Sequence, residues 1–144
     1  MNTVNVKMLF DDDRIKRAVD SATRKNLSKA GAFVRTAAKS SIRKRKAISA
    51  PGQPPSSHTG LLKRFIFFGY DANRKTVVVG PMRLRQKIGK APEALEHGGP
   101  STILGGRGKR RVKRQIIVEA RPFMGPAMKQ EAPKFPNIWA NSVR

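Results

Sequence analysis

Several common features are missing from this chain. It has no cysteine, which excludes disulfides and thiol metal sites and leaves the cellular compartment open. The longest strongly apolar run is only four residues, Phe65–Phe68, so we expect no membrane span. Residues 1–10 contain one lysine and no continuous apolar stretch, so we expect no signal peptide and a role in a soluble compartment.

Acidic and aromatic residues are also scarce. Nine Asp and Glu face 31 Lys and Arg, giving a formal net charge of +22, and aromatics make up 6% of the chain. A charge of this size indicates polyanionic or acidic protein partners and says little about the fold. The 144 residues fit one domain, 1–144, with a modest core.

The positive charge is concentrated in two stretches without acids. The first lies between Asp20 and Asp71, and the second runs from His97 to Val118. The basic residues of the first stretch are Arg24, Lys25, Lys29, Arg35, Lys39, Arg43, Lys44, Arg45, Lys46, Lys63 and Arg64. Three interpretations stay open: solvated faces or mobile arms, contacts with phosphate, and contacts with an acidic protein.

Apolar and small residues three or four apart predict one long helix over residues 13–45. The acidic cluster Asp11–Asp13 suits its start, where carboxylates oppose the positive end of the helix dipole. Residues 51–60 hold three prolines and two glycines and are predicted to form a loop.

Two strands are predicted next, over 62–70 and 75–79, joined by a polar turn. Phe65 and Phe67 would lie on one face and Ile66 and Phe68 on the other. We therefore expect one face to pack on the long helix and the other to meet another surface.

The second half of the chain is predicted from shorter signals. Residues 82–91 and the Gly-rich 101–109 are interpreted as loops, the latter mobile, and 92–98 as a short helical turn or a strand end. A strand over 112–119 would bury Ile116, Ile117 and Val118. A helix opened by Pro122 would run to about Glu131, before a last turn over 137–143. The prediction is an α+β fold: a long N-terminal helix packed on a mainly antiparallel sheet of three to four strands, with a short C-terminal helix.

Candidate catalytic residues are few. His58 and His97 are the only histidines, and neither stands at metal-ligand spacing from other donors. Glu96 is expected to pair with a nearby cation. The glycines of Gly105–Lys109 lack the Walker spacing, and no Ser or Thr follows Lys109. We expect no enzymatic activity, no metal and no cofactor.

Several segments in a fixed order resemble a known family. They are the long basic helix, His58–Leu62 after the Pro/Gly loop, the strand pair, Ala94–Gly98 and Ala120–Met124. This order is similar to that of the small neck or tail-completion proteins of tailed bacteriophages, which are also described as putative tail components or head–tail connectors. The resemblance covers about residues 13–143.

The resemblance implies a structural virion protein, without enzymatic activity, at the junction of head and tail. It implies a homo-oligomeric ring of six subunits, with twelve as the alternative, assembled in the host cytoplasm. The implied partners are other neck, portal-adaptor and tail-tube or terminator proteins, and no membrane. Double-stranded DNA would pass through the channel and be contacted without regard to sequence.

Two sets of residues are candidates for these contacts. Cations predicted to approach DNA in the channel are Arg83, Arg85, Lys87, Arg107, Lys109, Arg110, Arg111, Lys113 and Arg114. Residues predicted to contact neighbouring subunits are Pro54, Pro55, His58, Leu61, Phe123, Met124 and Trp139. The rival prediction is a basic nucleic-acid-binding protein of ribosomal or nucleoid type.

Overall fold

The computed structural model describes residues 12–82, 91–105, 112–140 and 142. Five α-helices occupy Asp12–Ser41 (α1), Leu61–Arg64 (α2), Ala91–His97 (α3), Met124–Glu131 (α4) and Phe135–Trp139 (α5). Four strands occupy Ile66–Asp71 (β1), Thr76–Pro81 (β2), Gly99–Gly105 (β3) and Val112–Val118 (β4), and a 3-10 turn covers Ala132–Lys134. The predicted α+β class is confirmed, with the long N-terminal helix packed on strands and a short helix near the C-terminus.

The long helix α1 begins close to its predicted start and ends earlier than predicted. Its first turn carries Asp12 and Asp13. At its end, the hydroxyls of Ser40 and Ser41 donate to carbonyls in the preceding turn, which competes with the helical pattern. Beyond it, Arg43 forms an isolated parallel bridge with the Pro/Gly loop, so the basic run 43–46 lies outside the helix.

The core lies where α1 meets β1 and α4. Its largest fully buried side chains are Ile42, Ile66 and Phe123. Val34, Ala37, Ala38 and Ala127 complete the buried cluster. Small alanines on the helix let neighbouring elements approach closely.

The first hairpin, β1–β2, is antiparallel with Ile66 opposite Pro81 and Asp71 opposite Thr76. The Asp71 carboxylate accepts hydrogen bonds from the backbone amides of Asn73 and Arg74 in the turn, at 3.0 and 3.2 Å. Residues 62–64, predicted as the start of the strand, instead belong to helix α2. Gly60 precedes this helix with φ of 74°, a left-handed conformation that suits glycine.

The second hairpin, β3–β4, forms a separate two-stranded sheet, so the four strands do not join in the single sheet that was expected. Strand β3 extends through Gly105 in a segment that was predicted as a mobile loop. Strand β4 matches its prediction, but its burial does not, because Ile116 and Ile117 are exposed. Of the predicted loops, residues 83–90 and 106–109 lie outside the described ranges.

At the C-terminal side, α4 begins at Met124 and not at Pro122, and it ends at Glu131 as predicted. The 3-10 turn and α5 follow, each with a proline in its first two positions. The last turn was expected at 137–143, whereas α5 covers Phe135–Trp139. Contacts between α1 and both α4 and α5 return this end of the chain to the long helix.

Candidate functional site

Two of the motif segments behind the resemblance meet at Glu96. Its carboxylate accepts backbone N–H bonds from Phe123 at 2.9 Å, Met124 at 3.0 Å and Gly125 at 2.7 Å. These amides open α4, where the first N–H groups have no partner within the helix. Glu96 thus caps a helix that begins 28 residues further along the chain, a role that was not predicted, and within the described residues it forms no salt bridge with Lys or Arg.

The electrostatics of this cap favour the ionised carboxylate. Partial burial of Glu96 works to raise its pKa, but the three backbone donors and the nearby His97 outweigh it and hold the pKa below its ordinary value. The positive end of the α4 dipole acts in the same direction. The carboxylate therefore fixes α3 to the start of α4 at neutral pH.

Ala120 and Arg121 connect the Pro/Gly loop and the segment before it to the same place. The Nε of Arg121 donates to the carbonyl of Ser49 at 2.9 Å, and its backbone N–H donates to the carbonyl of Leu95 at 2.6 Å. The N–H of Gly52 donates to the carbonyl of Ala120 at 2.8 Å. The three segments form one motif junction, which comprises residues 49–52, 94–98 and 120–125.

The second hairpin, β3–β4, extends from the rest of the fold at this junction. Gly98 has φ of 76°, and a Cβ there would lie 3.1 Å from the backbone nitrogen of Ala120. Glycine therefore permits both the turn and the close approach of the two ends of the hairpin. The main contact of the hairpin with the rest of the described chain is with α3.

We call residues 99–118 the β3–β4 arm, of which 99–105 and 112–118 are described. Its apolar side chains are unusually open: Ile117 is 87% exposed and Val112 is 59% exposed. Lys113 and Arg114 of the predicted channel set are also exposed, opposite Leu104 and Ile103 in the register. The arm combines apolar and cationic surface. The remaining predicted channel cations, Arg83, Arg85, Lys87, Arg107, Lys109, Arg110 and Arg111, lie outside the described residues.

The predicted interface residues divide between surface and interior. His58, Leu61 and Trp139 are exposed, and Pro54 and Met124 are half-buried. Pro55 is buried, and Phe123 is 1% exposed within the core cluster. Phe123 therefore packs within its own chain, where its side chain is closed to a neighbouring subunit, because it fills the space between α1 and α4.

Neither a metal centre nor a membrane helix is found within the described ranges. No three His, Asp or Glu side chains there come close enough to hold a metal ion together. No helix in the same ranges has the length and apolar character needed to cross a bilayer. The absence of enzymatic activity stays a prediction.

The residues that sequence reasoning missed are Glu96 in its capping role, with Ser49 and Arg121. No local signal marks them, since each contact joins residues far apart in sequence. We also compared the chain with models of protein families, with curated proteins and with solved structures, and none of them gave a significant match.

Proposed function

We propose that this protein is a structural subunit of the phage neck, a connector or tail-completion ring protein that joins the tail to the DNA-filled head. The observation that carries the proposal is the β3–β4 arm, where Val112 and Ile117 are left exposed in the described part of the chain. The resemblance in motif order supplies the biological setting. The ring of six, or alternatively twelve, and the virion location are part of the proposal.

The arm is poorly suited to exist alone in water. An isolated two-stranded hairpin is marginally stable, and each of its strands has an edge without a partner among the described residues. Ile117 and Val112 add exposed apolar surface to those edges. A neighbouring subunit that covers the arm would pair a free strand edge and bury these apolar side chains.

A second apolar surface lies on the first hairpin. Phe68 and Val77 of that hairpin face α1 near Gly31, although Phe68 stays 37% exposed, and on the other face Phe67 and Val78 are 45% and 68% exposed. A subunit with two different adhesive surfaces can make head-to-tail contacts, and such contacts generate rings when the rotation closes. This arrangement supports a ring more than a symmetric dimer.

The positive charge supports DNA as a partner in the ring's channel. A net charge of +22 needs external anions, and Lys113 and Arg114 place two exposed cations on the arm itself. Contacts of Lys and Arg with phosphates are independent of sequence and weaken steeply with salt. The neighbouring neck, portal-adaptor and tail proteins would bind the remaining surfaces.

The alternative, a basic protein of ribosomal or nucleoid type, is supported by the same charge. The exposed apolar arm favours the ring, because contacts with phosphates need cations and would not bury the exposed isoleucines. The two proposals differ in what happens when the apolar surface of the arm is removed.

The test is the oligomeric state of the full chain, measured by mass photometry and sedimentation velocity. We expect the wild type to form a discrete ring and Ile117→Asp to be monomeric, since burying a carboxylate in an apolar contact with a neighbour costs free energy. Ile48→Asp is the matched control, because Ile48 is 77% exposed but lies in a loop outside the arm. A wild type that stays monomeric at high concentration, or equal behaviour of the two variants, would contradict the proposal.

A further inference from the structure

A second cationic surface lies away from the arm, at the end of α1. Arg35 and Lys39 stand four residues apart on α1, which places them on one face about 6 Å apart along the axis. Desolvation, together with the like charges of Arg35 and Lys63, lowers the pKa of Lys39. Leu62 of α2 packs against the core cluster that contains Ala38 and Ile42, so α2 and its Lys63 lie beside the end of α1.

Lys44 joins this group from the segment after α1. Its Cδ lies 4.0 Å from the position that a Cβ on Gly60 would occupy, immediately before α2. The loop fixes this segment, since the N–H of Ser57 donates to the carbonyl of Arg43 at 3.0 Å. We call Arg35, Lys39, Lys44 and Lys63 the helix-end cluster.

Arg35 is held in a defined orientation. Its Nε donates to the carbonyl of Ile66 at 2.9 Å, and its guanidinium carbon lies 5.9 Å from the centre of the Phe67 ring. In the described part of the chain, its two Nη groups make no hydrogen bond. A fixed guanidinium with free donors is well suited to binding an oxyanion.

The described residues supply no carboxylate to this cluster. None of the eleven basic residues from Arg24 to Arg64 forms an ion pair within the described ranges. Asp20 and Asp71, which bound this acid-free stretch, pair instead with Lys75 and Arg74. The cations of the cluster repel one another, and an external anion that binds there would reduce this repulsion.

We propose that the helix-end cluster is a binding site for the phosphate backbone of duplex DNA, distinct from the cations of the arm. Duplex DNA carries one negative charge per about 1.7 Å of its axis, which matches a surface with several adjacent cations. Three of the four residues are lysines, which are depleted at protein–protein interfaces, so an acidic protein fits less well. The choice of duplex DNA rests on the proposed function, whereas the position of the site rests on the side-chain geometry of α1, α2 and the segment between them.

The test is the binding of the full chain to fluorescein-labelled duplexes of 25 base pairs, in two unrelated sequences, followed by anisotropy over a range of salt concentrations. The variant K39Q/K44Q/K63Q removes three cations of the cluster. We expect weaker binding to both duplexes and a salt dependence shallower by up to about 2.7 in log–log slope, about 0.9 for each phosphate that the variant no longer neutralises. Circular dichroism melting checks that the variant is folded.

The matched control is K16Q/R17Q/K129Q, which removes the same charge from exposed positions on α1 and α4. We expect its affinity and salt dependence to stay close to those of the wild type. Equal effects of the two variants would show that only net charge matters and would overturn the site. It would be overturned equally by unchanged binding of the cluster variant, by a preference for one duplex sequence, or by a wild type that binds no DNA.

Sedimentation of the same samples without DNA separates this inference from the proposed ring. A wild type that forms rings but binds DNA no better than the cluster variant would overturn the cluster alone. A monomeric wild type whose DNA binding depends on the cluster would contradict the ring and support the site.

Discussion

The two hairpins have similar strand lengths and the same antiparallel pairing, yet their surroundings differ. On β1, Ile66 is fully buried, whereas Ile117 on β4 is 87% exposed. The first hairpin lies against α1, and the second has its main contact with the short helix α3. Burial in this protein is therefore decided by which element covers a strand, and not by the strand's own apolar residues.

The largest loss of stability should come from truncating Ile66, and the same truncation at Ile117 provides the comparison. Ile66→Ala should lower the free energy of unfolding by about 2–5 kcal/mol, because it leaves a cavity between α1 and β1. Ile117→Ala should change it by less than about 0.5 kcal/mol in the monomer. Urea unfolding measures both, at a concentration where the chain is monomeric. Equal destabilisation would mean that the arm is packed in solution.

The contact between α1 and the first hairpin can be overpacked at Gly31. A Cβ there would lie 2.6 Å from Cγ2 of Val77 and 3.1 Å from Cδ2 of Phe68. Gly31→Ala should cost about 1–3 kcal/mol from this clash, reduced by the better helix propensity of alanine. The double variant with Val77→Ala should recover part of this stability in a thermal unfolding cycle. A stabilised single variant would show that the hairpin moves aside freely.

Glu96 tests how the second hairpin is joined to the body. Glu96→Gln should lower stability by about 1–2 kcal/mol, since an ionised acceptor for three amides becomes neutral. The pKa of Glu96 is lower in the folded state, so its contribution is complete above the ordinary Glu pKa and disappears as the pH falls through the folded value. Wild type and variant should therefore converge on acidification, measured by urea unfolding at several pH values. A gap that stays constant down to the lowest pH would contradict this account.

The smallest effect concerns the edge of the first hairpin. Arg35→Gln removes the Nε bond to the Ile66 carbonyl and the contact with the Phe67 ring, and it should cost about 0.5–1.5 kcal/mol. Arg24→Gln, also on α1 but without such a bond, should be close to neutral. Chemical unfolding of the two variants gives the comparison. Equal values would assign the effect to charge alone.

The sequence predicted the long helix, the first hairpin and the α+β class, because these depend on local periodicity and turn chemistry. It did not predict the end of α1, where Ser40 and Ser41 bond to the backbone and Arg43 pairs with a distant loop. The exposure of Ile117 could not be inferred, since an apolar strand looks the same whether its cover is in the chain or outside it. The capping role of Glu96 could not be predicted either, because its first hydrogen-bond partner, Phe123, lies 27 residues further along the chain.

The candidate surfaces, too, were predicted only in part from the sequence. Exposed Lys113 and Arg114 agree with the simple expectation that clustered cations stay in water. Phe123 was expected at an interface and lies in the core, because the apolar side chain that opens α4 points toward α1. The helix-end cluster joins residues from three segments, so its composition was visible in the sequence and its assembly was not.

The hydrogen bond from the Arg121 amide to the Leu95 carbonyl has a consequence for how the chain can evolve. The β3–β4 arm begins and ends at neighbouring points, so this bond joins the chain on the two sides of the arm. Changes in its length or sequence cost the body little, because the junction on either side keeps its own contacts. We therefore expect the arm to be the part of the described chain in which substitutions disturb the rest of the fold least.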